Sequence, residues 1–192
     1  KWCVAQIAAA GGDVRYFAVR ADAPNGLKRR YRYLHAKYGT VDGRVAIVST
    51  ENLSEDSMPL PSSQPVGGRR GFVLLTDAPP VVAALQSTFA ADWAPERFLD
   101  LRPYDPTDPK YGAPPAGYVP PPAPRYKVDE SPFTGAVTAA GSLPFIVVTA
   151  PENAARSDAG LLALIARAGP GDELAVMQLY EQRHWGPATS NP

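Results

Sequence analysis

The sequence predicts an α/β protein in which a mixed β-sheet is flanked by helices. Three observations carry that expectation. Residues 1 to about 102 alternate apolar runs of helical period with short β-branched runs. Inside them, "RYRYLHAKYGT" and "RVAIVST" flank "VDGR", whose Asp-Gly is a strong hairpin signal. Beyond a proline-rich stretch, the order strand, helix, strand begins again at "PFIVVTA".

The elements follow in order. The opening "KWCVAQIAAA" has the character of an amphipathic helix stopped by Gly11–Gly12, and "DVRYFAVR" then predicts a strand. "ADAPNGLKR" is a loop of turn formers. The two hairpin strands come next, with His35 and Lys37 on the first. A polar, proline-broken loop, "SEDSMPLPSSQPVGG", separates the hairpin from a further apolar strand, "RRGFVLLTD". "APPVVAALQSTFAADW" predicts a helix whose prolines are tolerated in the first turn and whose Val82, Leu85, Phe89 and Trp93 share one face. Residues 103–144 carry so many prolines that they are expected to be an extended connector. Its tyrosines at 104, 111, 118 and 126 either pack along the globular surface or form a binding arm, and packing is the favoured reading. Residues 145–192 predict a strand, a helix capped by Ser157 or Asp158 over "ENAARSDAGLLALIARAG", and a final strand, "PGDELAVMQLYEQ". Such a unit cannot close a core by itself.

Composition narrows the function classes. The chain has 192 residues, 45% of them hydrophobic, with 19 basic and 19 acidic side chains. That balance provides no overall field toward nucleic acid or an acidic membrane, so any preference for phosphate must be local. One cysteine, two histidines and no clustered ligand spacing argue against a disulfide framework, a metal site or a metal cofactor. No apolar run approaches the ~20 residues that span a bilayer. The opening is no signal peptide and reads as a start in mid-fold, so the compartment is not legible.

His35 and Lys37, two apart on an extended strand, should point to the same face. The return strand ends in "STEN", which places Thr50 and Asn52 on one parity beyond the hairpin. Lysine, hydroxyl and carboxamide supply donors to anionic oxygens, and a neutral imidazole is a competent nucleophile toward phosphorus. A phosphodiester is the substrate that suits this set.

The string His35-x-Lys37-x4-Asp42, followed by Ser49-Thr50-x-Asn52, resembles the signature of the phospholipase D superfamily. "GFVLLTDAPPVVAALQSTFAADW" is similar to the strand and helix that follow that signature. "AAAGGDVRYFAV" resembles what precedes it, and "PENAARSDAGLLALIARAGPGDELAVMQLY" the opening of the family's second repeat. The resemblance implies a phospholipase D-like sheet. Residues 1–102 would be the C-terminal part of a first repeat, 103–144 a linker and 145–192 the start of a second. It further implies that His35 is the nucleophile or the general acid, that Lys37 and Asn52 bind phosphoryl oxygens, and that Thr50 stands for the family's serine. Asp42 is either part of the site or a stabiliser of the hairpin turn. Gln178 and Tyr180 alternate on a strand that in the family ends at the active site, so both are expected to line the cleft.

The sequence departs from the family pattern where many members carry a glutamate that orients the histidine. Gly71 stands at the closest position, and Glu51, Glu55 or Asp56 could substitute only if the loop folds back. "LKRRYR" is either a basic rim for a phosphate-bearing substrate or a charged strand edge. His184, lacking the His-x-Lys pattern, is expected to be a loop residue near Trp185. As the resemblance implies, one histidine forms a phosphohistidine while a second protonates the leaving alcohol. Since one motif is present, the expected partner is the remainder of the same polypeptide or a second copy of the chain. A phospholipid-like phosphodiester is the favoured substrate, with no cofactor. A catalytically silent binding module and a nuclease are the alternatives.

Overall fold

Helix α1, Trp2–Ala9, ends in hydrogen bonds from Gly11 N to Ala8 O and from Gly12 N to Ile7 O, the pair of a Schellman cap, which explains why the Gly-Gly dipeptide stops it. The computed structural model describes residues 1–54, 57, 60–61, 71–94, 97–122, 125–126, 135–142, 144–150, 152 and 156–175. The chain divides into two units, Lys1–Ser142 and Leu143–Pro192.

In the first unit, β1 (Arg15–Phe17) pairs antiparallel with β6 (Leu101–Pro103), Tyr16 facing Arg102. A separate antiparallel sheet is formed by β2 (Tyr38–Val41), β3 (Val45–Ser49) and β5 (Val73–Thr76), with β3 in the middle. Two short segments, β4 (Leu60–Pro61) and β7 (Arg125–Tyr126), pair in parallel. The expected α/β character is present as helices with mainly antiparallel sheets. The β2–β3 turn has Asp42 at φ 51° and Gly43 at φ 66°, and Arg44 N bonds Val41 O at 2.9 Å. These are the features of a type I′ turn, whose twist matches that of the strands.

Helix α2, Pro79–Asp92, starts with its two prolines in the first turn, where their missing N–H groups cost nothing. It lies against β2 and β3. Val81, Val82 and Leu85 from the helix, Ala46 from β3 and Leu101 from β6 are its buried apolar neighbourhood, with Ala46 and Val82 each 1% exposed. By strand alternation, Tyr38, Thr40, Ala46 and Val48 occupy the helix-covered face. The opposite face carries Val41, Val73 and Leu75, which are 60%, 46% and 65% exposed.

Two further ties close this unit. Asp100, 2% exposed, accepts from Arg30 N at 2.8 Å and Arg30 Nε at 3.0 Å. Arg30 also reaches Asp92 at the end of α2 and lies 3.6 Å from the Phe98 ring centroid. The start of the expected connector is packed: Tyr104 N bonds Val14 O, the Tyr16 hydroxyl donates to Tyr111 O at 2.7 Å, and the Tyr16 and Tyr111 rings are 4.9 Å apart.

The second unit differs from expectation. Residues 144–150 form no strand, and α3 is confined to Gly160–Ile165 with Ala159 at its N-cap. Neither Ser157 nor Asp158 caps it; Asp158 pairs with Arg156 instead. A strand needs a ladder with another strand, and none of the ladders among the described residues includes 144–150; six residues are too few for a self-supporting helix. The last predicted strand is unformed over 170–175 and otherwise lies outside the described residues. No helix among the described residues is long and apolar enough to cross a membrane.

Candidate functional site

Strand β2 begins only at Tyr38, so His35 and Lys37 lie in the extended stretch leading into it rather than on the strand. The ladder still reaches Lys37, because its carbonyl accepts from Ser49 N at 2.8 Å. Their side chains meet: Lys37 Nζ is 2.9 Å from His35 Nε2. An ammonium has only protons to give, so a hydrogen bond between them needs the imidazole lone pair at Nε2 and leaves Nδ1 to carry the proton. His35 is exposed and Lys37 half-buried.

The hairpin register decides which other groups share this face. Tyr38 faces Val48, so Lys37 faces Ser49, and Ser49 faces Val73. Thr50 therefore belongs to the other face. Its hydroxyl accepts from Phe72 N at 2.9 Å, tying the end of β3 to the strand beside it. Asn52 is exposed, and its carbonyl accepts from Ser54 N. The structure thus brings His35 and Lys37 together and puts Ser49, not Thr50, across from the lysine. Ser49 Oγ accepts from Glu51 N at 3.0 Å, an interaction that bends the chain just past the strand.

Glu51 is the residue that sequence reasoning left conditional. Its side chain fills the space a Cβ at Gly71 would occupy. Ser57 Oγ donates to its Oε2 at 3.0 Å, and Ser54 supports Ser57 at 3.1 Å. Ser54 and Ser57 thus turn back onto Glu51, which puts a carboxylate beside Gly71, just past the end of β3. The signal was a glycine opposite a glutamate, visible only once the register is known.

Asp42 stands at the tip of the hairpin, five residues beyond Lys37 or about 17 Å at the ~3.3 Å rise of a strand. The structure does not bring it to His35. Gln178, Tyr180 and His184 lie outside the described residues, as do Glu55 and Asp56. In the basic run, Arg30 is neither a phosphate rim nor a strand-edge charge, being committed to Asp100 and Asp92.

The opposite side of the same stretch is also formed. Leu34, Ala36 and Tyr38, alternating with His35 and Lys37, line a pocket of about 140 Å³ closed by the end of α2 and by β1 and β6. Burial, and then the negative charge of Asp92, pushes the Tyr38 phenol above its ordinary range. No protein-family model matches this chain, and no curated protein or solved structure matches it either.

Proposed function

We propose that this chain carries one half of a phosphodiesterase site of the phospholipase D type, acting on a phospholipid-like phosphodiester. The finer fold reading, a phospholipase D-like repeat with its hairpin backed by α2, belongs to the same proposal. The observation that carries it is the 2.9 Å approach of Lys37 Nζ to His35 Nε2 on a solvent-facing stretch. In the resting site the lysine occupies the imidazole lone pair. A phosphoryl oxygen would draw the ammonium away, since an anion is the better acceptor, and the same movement frees Nε2 to attack phosphorus. A nitrogen–phosphorus bond forms as the ester oxygen departs with the bonding pair. The exposed Asn52 side chain is available to a second phosphoryl oxygen. Glu51, beside Gly71 just past the end of β3, is the carboxylate that would hold the imidazole through Nδ1–H. Water then takes the phosphoryl group from nitrogen.

An alkoxide needs a proton on departure, and one imidazole cannot attack and protonate in the same step. A second copy of the chain, or further polypeptide, would provide that acid. A nitrophenolate needs no such help. The 192-residue chain incubated with bis(4-nitrophenyl) phosphate is therefore expected to release nitrophenolate slowly and to accumulate an acid-labile phosphoryl adduct on His35, found by mass spectrometry at neutral pH. His35→Ala removes both signals, and Lys37→Ala slows release by about 10²-fold, the usual loss for one oxyanion donor. Release at the wild-type rate from His35→Ala sinks the proposal. Saturable binding of the diester with no release supports a second reading, a silent phosphate-binding module, which the lysine-capped Nε2 favours.

A further inference from the structure

We propose that the pocket between the end of α2 and the β1–β6 pair binds a small neutral aromatic carboxamide. This inference goes beyond the phosphodiesterase reading and does not depend on it. The pocket's volume, about 140 Å³, is close to that of a 150 Å³ protein cavity that takes up benzene, so it accommodates a single ring. Its walls are of the matching kind. Phe17, Tyr31, Tyr38, Phe89 and Trp93 line it, Phe89 and Trp93 being stacked with centroids 5.2 Å apart. Flat faces of this sort favour an aromatic body over a branched aliphatic one.

The polar groups specify what the ring must carry. Arg15 spends Nε and Nη2 on Asp13, at 3.1 and 2.7 Å, and its guanidinium lies 5.0 Å from the Trp93 ring centroid. Its Nη1 is buried and has no hydrogen-bond partner. A buried donor without an acceptor is costly, and Arg15 is one of the pocket's lining residues, so a ligand oxygen that reaches Nη1 is rewarded. That oxygen need not be charged. Arg15 already faces Asp13, and Arg30 faces both Asp92 and Asp100. With three carboxylates around two guanidinium groups, a further anion gains no net attraction. A carbonyl oxygen suits Nη1 without that conflict. The second polar group is Asp92, whose Oδ1 is shared by Arg30 and the Tyr31 hydroxyl, each at 3.3 Å, while its Oδ2 receives no hydrogen bond among the described residues. A carboxylate oxygen with spare acceptor capacity calls for an N–H on the ligand. A ring bearing C=O and NH₂ on one carbon offers one acceptor and one donor of the kinds these two groups call for.

The test is a titration of the 192-residue chain with benzamide, with benzoate and toluene as comparisons, followed through the backbone and indole N–H resonances of Trp93 and the backbone N–H of Arg15. Benzamide is expected to give a saturable shift and to bind roughly tenfold tighter than either comparison, because a site built to satisfy polar groups discriminates against analogues that lack them. Arg15→Met, which keeps the stem and removes the donor, should weaken benzamide by about that factor and leave toluene unchanged. Leu34 lines the pocket yet is 55% exposed, so Leu34→Trp is a tolerated way to fill it, and should abolish binding of all three probes. No saturable benzamide shift overturns the proposal. So does tighter binding of benzoate, equal binding of toluene, or undiminished benzamide binding in Leu34→Trp. The last of these holds even if Arg15→Met does not fold.

Discussion

Asp42 and Gly43 adopt left-handed backbone conformations side by side, and this local demand accounts for both residues without any appeal to catalysis. Asp42→Asn keeps a side chain that tolerates the conformation. It is expected to leave both the thermal midpoint and nitrophenolate release near wild type. Asp42→Val places a β-branched residue there and should lower stability by about 1–2 kcal/mol, measured by urea unfolding. A loss of turnover in a fully stable Asp42→Asn would return the residue to the site. Gly71 is constrained in a different way. Because Glu51 fills the volume a side chain would need, Gly71→Ala must push that carboxylate out of place. The expected readout is a change in the pH profile of release with little change in diester affinity. At this scale the His35–Lys37 contact was legible, since residues two apart on an extended chain share a face. The Glu51–Gly71 contact was not, because it depends on a register between strands separated by a long loop. The same register moves Thr50 off the site face and ties it to Phe72.

Among the elements, those specified by short-range signals are present, although the first hairpin strand is confined to Tyr38–Val41 and leaves His35 and Lys37 ahead of it. The Asp-Gly turn joins its two strands, and α2 runs between its prolines and the stacked Phe89 and Trp93. Elements that need a distant partner were harder to read. That β1 pairs with β6, across more than eighty residues, leaves no local trace, and the stretch 144–150, apolar enough for a strand, enters none of the ladders among the described residues. The connector was the other difficulty. Its prolines suggested extension throughout, yet 104–112 is organised by its aspartates. The backbone N–H of Tyr111, then that of Lys110, together with the nearby Arg102, holds the Asp108 carboxyl below the ordinary aspartate range. A carboxyl whose pKa is depressed on folding stabilises the fold above its unfolded value, and that contribution is lost as pH falls through the folded one. Wild-type protein should therefore lose urea resistance on acidification below about pH 4, the unfolded aspartate range. Asp108→Asn should start lower at pH 7 and show a smaller further loss. Parallel curves for the two proteins would remove Asp108 from the account.

For the whole molecule, the division at Ser142 and Leu143 makes a prediction about cleavage. Val137 is 99% exposed, whereas Tyr111 is held by its ring contact with Tyr16 and by the Asp108 turn. Thermolysin should cut beside Val137 well before Tyr111, since a protease needs backbone it can pull free. Initial cutting at Tyr111 would show that the aspartate turn opens readily. The alternation of residues 34 to 38 has a further consequence. One run of chain is a wall with two sides: its even-numbered residues close an aromatic pocket, while His35 and Lys37 face outward on the other. A partition shared in this way cannot be displaced from one side alone. If an occupant of the pocket shifts it and thereby alters affinity for a phosphate group, the phosphate must alter affinity for that occupant by the same factor, as thermodynamic reciprocity requires. Two ligands that never touch would then compete, or cooperate, through the thickness of one extended stretch of backbone.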